Sequence, residues 1–219
     1  MKRDKQIEAL VKALDATGRS SHPPGGRRHR RAEETRLRLF RTAMDLFAEH
    51  GFSSVTVGDI TEAADVGKGT FFNYFESKDH VLGVMGEIQL AKIREAARRA
   101  KEEQTPIREV LYDLAHRLME EPGRSPELAR ALIASFVASD VVRGIIRKRI
   151  VEARLVIAQL VEQGQRRGEI APELKKRAVA LQLQQAVMGT ILLWSLEGKP
   201  SPATRMDSTF EHFWRAVAM

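Results

Sequence analysis

A chain of 219 residues, 43% hydrophobic and 30% charged, is long enough to bury a sizeable core and too apolar to be disordered throughout. It has no cysteine, which excludes disulfides, thiolate metal sites and cysteine nucleophiles and fits a reducing cytoplasm. With 36 Lys and Arg against 29 Asp and Glu, the formal charge is +7, which favours a polyanionic partner over a small anionic substrate.

The opening MKRDKQIEALVKAL has a basic start and no continuous apolar run, so no secretory leader is expected. Ile7, Leu10, Val11 and Leu14 share one helical face, which reads as a short accessory helix or a frayed extension within 1–17. ATGRSSHPPGG at 16–26 reads as a flexible linker. RRHRR at 27–31 is a basic arm, either a nucleic-acid contact or a solvated linker, and a DNA-reading element nearby would decide for the first.

From residue 31 the pattern is helical almost to the end. A first helix over 32–50 aligns Leu37, Phe40, Met44 and Phe47, with Gly51 as left-handed cap and Phe52 folding back on the last turn. A second runs to Ala64 with Val57 and Ile60 inward. Thr56 is its cap, and Asp59 is an imperfect capping-box partner. Asp65, Val66 and Gly67 make a tight connection to a third helix over 68–75. Ser77 then caps a long fourth helix over 78–103, with Asp79 near its positive end. Proline-marked breaks predict further helices at 106–121, 126–138, 141–167, 173–196 and 203–217. No segment alternates apolar and polar residues like a strand. The expected fold is all-α: an accessory segment and basic arm over 1–30, a three-helix unit over 31–80, and a larger bundle over 81–219 joined through the fourth helix.

The third helix carries the chemistry. On a helical wheel Phe71 and Phe75 fall on the side facing the first two helices, while Gly69, Thr70 and Asn73 fall opposite, flanked by Phe72 and Tyr74. Two short helices joined by a tight turn, the second offering small and amide side chains outward, fit a helix-turn-helix. Gly69 lets backbone approach the groove, Thr70 can bond a base or phosphate, and Asn73 can read adenine through two hydrogen bonds. Lys68 sits at the helix start, where a phosphate is favoured. Tyr74, Thr56 and Lys78 suit backbone contacts that set register.

TRLRLFRTAMDLFAEHGFSSVTVGDITEAADVGKGTFFNYFESKDHVL, 35–82, resembles the DNA-binding domain of the TetR family of bacterial transcriptional regulators. The features that carry it are Ala43 to Phe52, Thr56, the K-G-T-x-x-x-Y-F run at Lys68 to Phe75, and Ser77-Lys78. The resemblance implies a cytoplasmic homodimer on a palindromic operator, usually a repressor released by a small molecule. It also makes Arg31 and its neighbours a DNA-contacting arm. Asp65 stands where the family often has Gly, Gly67 where it often has Ser, Phe72 for a frequent Tyr and Asn73 for a frequent His. The last two bear on operator sequence, and Phe72 is expected to touch a thymine methyl or a deoxyribose.

In the bundle, Leu181, Gln185, Met188 and Leu192 form a stripe on one helix beside Gly189. Met206, Phe210, Phe213 and Val217 form another on the last helix, with Trp214 beside them. The resemblance implies that these two helices make the dimer interface, through Leu181, Gly189, Leu192, Phe210, Phe213 and Trp214. Closure of the monomer's own core is the other reading. Tyr112, His116, Met119, Phe136, Gln185, Met188 and Trp194 are candidate contacts for a largely apolar effector. AVMGTILLWSL is too short and too closely flanked by Gln and Glu to span a bilayer, so no membrane association is expected. His116 and Glu120 lack a third ligand, and no nucleophile elbow or phosphate loop occurs, so no catalytic residue, metal or cofactor is expected. A helical binding or scaffold protein with an inactive reader is the alternative.

Overall fold

The computed structural model describes residues 27–219, with side chains from Arg30 onward; the accessory helix and linker expected within 1–26 lie outside the described residues. The described residues form nine α-helices with no strands. The first three are α1 (Arg27–His50), α2 (Val57–Ala63) and α3 (Lys68–Phe72). They are followed by α4 (Lys78–Glu102), α5 (Ile107–Met119), a 3-10 turn (Pro122–Arg124) and α6 (Pro126–Ala138). The last three are α7 (Asp140–Arg166), α8 (Lys176–Glu197) and α9 (Pro202–Val217).

Two boundaries near the third helix and the basic run differ from expectation, and α8 begins at Lys176, three residues later than expected. The basic run at 27–31 is helical, the first turns of α1, and not a flexible arm ahead of it. α3 stops at Phe72 because Asn73 is its C-cap. Tyr74 and Phe75 follow as a loosened turn whose amides both donate to the Phe71 carbonyl, at 2.9 and 3.0 Å.

The first core is built by local rules. Leu37, Phe40, Met44 and Phe47 are buried, and Gly51 closes α1 at φ +80° with its amide on the Phe47 carbonyl. Phe52 then folds back edge-on to Phe47, ring centres 5.0 Å apart. The first half of α4 belongs to this core through Val81, Leu82, Met85 and Ile88, and so do Leu128 and Leu132 of α6. The second half of α4 enters a second core through Leu90, Ile93 and Ala96. One helix thus runs through both hydrophobic cores. Gly86 allows α7 to lie close against it: a Cβ there would sit 2.8 Å from Arg149 Cγ.

Buried Lys92 fastens α5 to α4. Its ammonium donates to the Arg117 carbonyl at 2.5 Å and pairs with Glu120 and Glu121 at 2.7 Å each. At the other end of α4, Asp79 accepts from the hydroxyl of Ser139 at 2.5 Å, and Ser139 is also the N-cap of α7. α8 is long and apolar enough to cross a bilayer by length and composition, at a mean hydropathy of 1.3, although its Gln and Glu flanks argued against this. Its composition reflects an inner face of Leu183, Val187, Ile191 and Trp194 built into the second core, and an outer face that is also apolar.

Candidate nucleic-acid interface

The turn into α3 is set by backbone geometry. α2 starts with a complete capping box: the Asp59 amide donates to Thr56 Oγ1 at 3.2 Å, and Asp59 Oδ2 accepts from the Thr56 amide at 2.8 Å. These bonds hold the Asp59 carboxyl below the usual carboxylate range, the backbone bond to Thr56 contributing most. α2 ends with Asp65 at φ +52°, its amide on Glu62 O at 3.1 Å and the Val66 amide on Thr61 O at 3.0 Å. That is a Schellman closure with aspartate in the left-handed position, the conformation that the Gly-to-Asp departure demands.

α3 divides as its wheel predicts. Phe71 and Phe75 are buried against each other, ring centres 5.4 Å apart, and anchor the helix. Lys68, Gly69, Phe72 and Asn73 face outward and Thr70 is half-buried; Phe72 is 56% exposed and meets Phe71 edge-on at 5.5 Å. A Cβ on Gly69 would meet nothing within 4 Å, so the fold does not require glycine there. Tyr74 is half-buried against the first core. Thr56 is exposed with its hydroxyl committed to the cap, and Arg31 is exposed on the first turns of α1.

Lys78 is a correction. Its ammonium donates to the carbonyls of Phe52, Ser53 and Val55 at 2.9, 3.1 and 2.8 Å and lies 4.8 Å from the centre of the Phe52 ring. An ammonium has three protons. All are spent on the loop after α1, so Lys78 holds that loop on α4 and has none left for a phosphate.

Where the two cores meet lies a cavity of about 210 Å³ bounded by α4, α5, α6, α7 and α8. Phe136 and Met188 line it as expected. Tyr112, His116, Met119, Gln185 and Trp194 do not. Tyr112 and His116 turn instead to α9. The Tyr112 hydroxyl donates to Asp207 at 2.6 Å, which pushes its pKa up, and His116 Nε2 lies 3.0 Å from the same carboxylate. Met119 and Trp194 are core, and Gln185 is exposed on the outside of α8. Gln89 and Arg149, which residue-type reasoning passed over, do line the cavity.

The dimer expectation divides between α8 and α9. On α8 the outer face shows Met188, Leu192, Leu193 and Leu196 exposed, with Leu181 half-buried and Gly189 open. On α9, Phe210 and Phe213 are buried within the monomer, Phe210 against Tyr112 at 5.3 Å and stacked on half-buried Trp214 at 6.3 Å. Those two side chains close the chain's own core and are not available to a partner.

Residues 39–85 match the model of "Bacterial regulatory proteins, tetR family". The probable acrEF/envCD operon repressor of Escherichia coli K12 is 26% identical over 170 residues, 74% of this chain and 77% of that one. The regulator TcmR of Streptomyces glaucescens is 41% identical over 68 residues, 31% of this chain and 30% of that one. Among solved structures, the fatty acid degradation regulator FadR of Bacillus halodurans superposes with a TM-score of 0.72 at 19% identity, over 89% of this chain and 97% of that one. With its capped α2, left-handed turn and anchored α3, the unit over 39–85 is a DNA-binding domain of the tetR family of bacterial transcriptional regulators, and the chain as a whole is similar to repressors of that family.

Proposed function

We propose that the chain is a homodimeric repressor that binds a palindromic operator through α3 and releases it when a small molecule enters the cavity between α4 and α8. The observation that carries this reading is the division of α3. Two phenylalanines fix the helix from behind, and Lys68, Gly69, Phe72 and Asn73 face outward with Thr70 half-buried beside them. Asn73 reads a base, Lys68 and Tyr74 hold phosphates, and Phe72 makes an apolar contact in the groove. The basic start of α1 supports a further backbone contact. Its arginines sit at the positive end of the helix dipole with no acidic residue in the first turn, a placement that phosphate would relieve.

The exposed outer face of α8 supports a two-fold dimer that buries Leu192 and Leu196 against a second copy, and a palindromic operator would then be read by two α3 helices about one DNA turn apart. The test is binding to the gene's own upstream DNA across a salt series. Specific binding by a dimer with a steep salt slope is expected, and Asn73→Ala should relax preference at one base pair by ~1–3 kcal/mol. A dimer with neither specific binding nor salt dependence would overturn the reading.

A further inference from the structure

The cavity's chemistry narrows its ligand, given the reading above that the chain responds to one. Apart from Gln89, Arg149 and Gln184 the wall is apolar. Gln184 is engaged at both ends: its oxygen accepts from Arg154 at 2.8 Å and its amide donates to the Ile150 carbonyl at 2.9 Å. Gln89 is half engaged. Its amide donates to the Leu118 carbonyl at 2.8 Å, while Oε1 is buried with no partner, an acceptor waiting for a donor.

Arg149 is the cation of the site. Its stem crosses Gly86 at the cavity wall, and its side chain is 16% exposed. It pairs with two carboxylates at long range, with Glu87 at 3.6 Å and with Glu152 through a 3.4 Å hydrogen bond. Both hold another arginine closer: Glu87 takes Arg36 at 2.7 Å, and Glu152 takes Arg94 at 2.5 Å. Of the three arginines Arg149 thus has the longest nearest contact, and a planar guanidinium with N–H groups to spare beside apolar walls selects a carboxylate that can meet it with two parallel bonds.

Size completes the description. A cavity of about 150 Å³ takes benzene, so 210 Å³ holds a substituted ring, on the order of ten non-hydrogen atoms. Gln89 lies one helical turn beyond Gly86, about 5 Å along α4, so one small molecule can reach both groups. We infer that the ligand is a small carboxylic acid with an apolar, single-ring-sized body and one hydroxyl or N–H. The carboxylate meets Arg149 and the donor meets Gln89 Oε1. Glu87 and Glu152 keep their shorter bonds to Arg36 and Arg94.

The test titrates the full chain with 4-hydroxybenzoate, benzoate, 4-hydroxybenzamide and 4-methylphenol, following heat of binding and operator release in parallel. 4-Hydroxybenzoate is expected to bind at least tenfold tighter than the amide or the phenol. Arg149→Met should abolish that preference, bringing 4-hydroxybenzoate to within about twofold of 4-methylphenol. Arg149→Lys, which keeps the charge but not the fork, should fall between. Gln89→Leu should erase the advantage of 4-hydroxybenzoate over benzoate and leave benzoate unchanged. The inference is overturned if the amide or phenol binds as tightly as the acid, if none of the four binds, or if the preference survives Arg149→Met. Operator release by the phenol alone would sink the acid and keep the ligand-responsive repressor. A chain that binds no operator under any condition removes the repressor itself, whatever the cavity holds.

Discussion

Arg36 on α1 donates to Glu87 on α4 across 2.7 Å, and the other oxygen of that carboxylate faces Arg149 on α7 at 3.6 Å. Arg36 also lies 5.9 Å over the ring of Phe75, one of the two anchors behind α3. A single side chain on α4 therefore touches both the element that positions the reader and the residue on the cavity wall. Coupling between two sites needs such an element, biased from both ends. Glu87→Gln should cost about 1–2 kcal/mol in urea unfolding, since the pair is only partly screened. It should also bring the ratio of operator affinities with and without ligand towards one. An unchanged ratio would mean that the sites communicate by another route.

Lys68 and Lys78 look alike in sequence, each beside the reader, and the structure separates them. Lys78→Met removes three bonds to carbonyls and should destabilise the chain by about 2–3 kcal/mol. The salt slope of DNA binding by the molecules that remain folded should not change. Lys68→Ala should leave the melting temperature in place and reduce the slope by about one unit. Unfolding curves and a salt titration of each variant decide the matter. The reverse pattern would return Lys78 to the DNA.

What could be read from sequence was what local rules govern. Thr56 with Asp59, Gly51 before Phe52, and the wheel that splits Phe71 and Phe75 from Asn73 all depend on neighbours within a few residues, and all stand in the structure. The all-α order of helices followed from periodicity and proline breaks. The cavity did not. Tyr112 and His116 were chosen for their residue type, but their positions depend on Asp207 and Phe210, far along the chain. Gln89 is a polar residue on a long helix, and it is contact with Leu118 on α5 that draws it to the cavity wall. Gly83 and Gly86 on α4 were the available signal that another helix lies close there. Periodicity also cannot say what a stripe faces. Phe210 and Phe213 read equally well as interface or as core, and tertiary contacts decide for core.

The two faces of α8 turn that ambiguity into a measurement. Leu192 is 42% exposed and Leu196 67%, whereas Phe210 is 1% exposed. Leu192→Glu adds a charge to a face with no partner in the monomer, so the separated chain should remain folded while the dimer is lost, seen as a halved mass in sedimentation. Affinity for a palindromic site should fall to that of a half-site. Phe210→Glu should instead abolish cooperative unfolding, because a charge buried in the core has no compensating partner. A dimer that survives Leu192→Glu together with Leu196→Glu would place the interface elsewhere.

Gly69 gives the cleanest separation of folding from recognition. It lies in α3, has nothing within 4 Å of where a Cβ would project, and is not in the left-handed region. Alanine there should therefore stabilise the chain slightly, by about 0.5 kcal/mol, through helix propensity and reduced freedom of the unfolded chain. Against DNA the same methyl stands between the helix backbone and the groove. Gly69→Ala should lower operator affinity while the urea midpoint rises or holds, and Gly69→Leu should lower it further. Unfolding and binding would then move in opposite directions, which no general loss of structure can produce. If both alanine and leucine at this position bind operator as well as glycine does, close approach of α3 at Gly69 is wrong and Asn73 must read the groove from another angle.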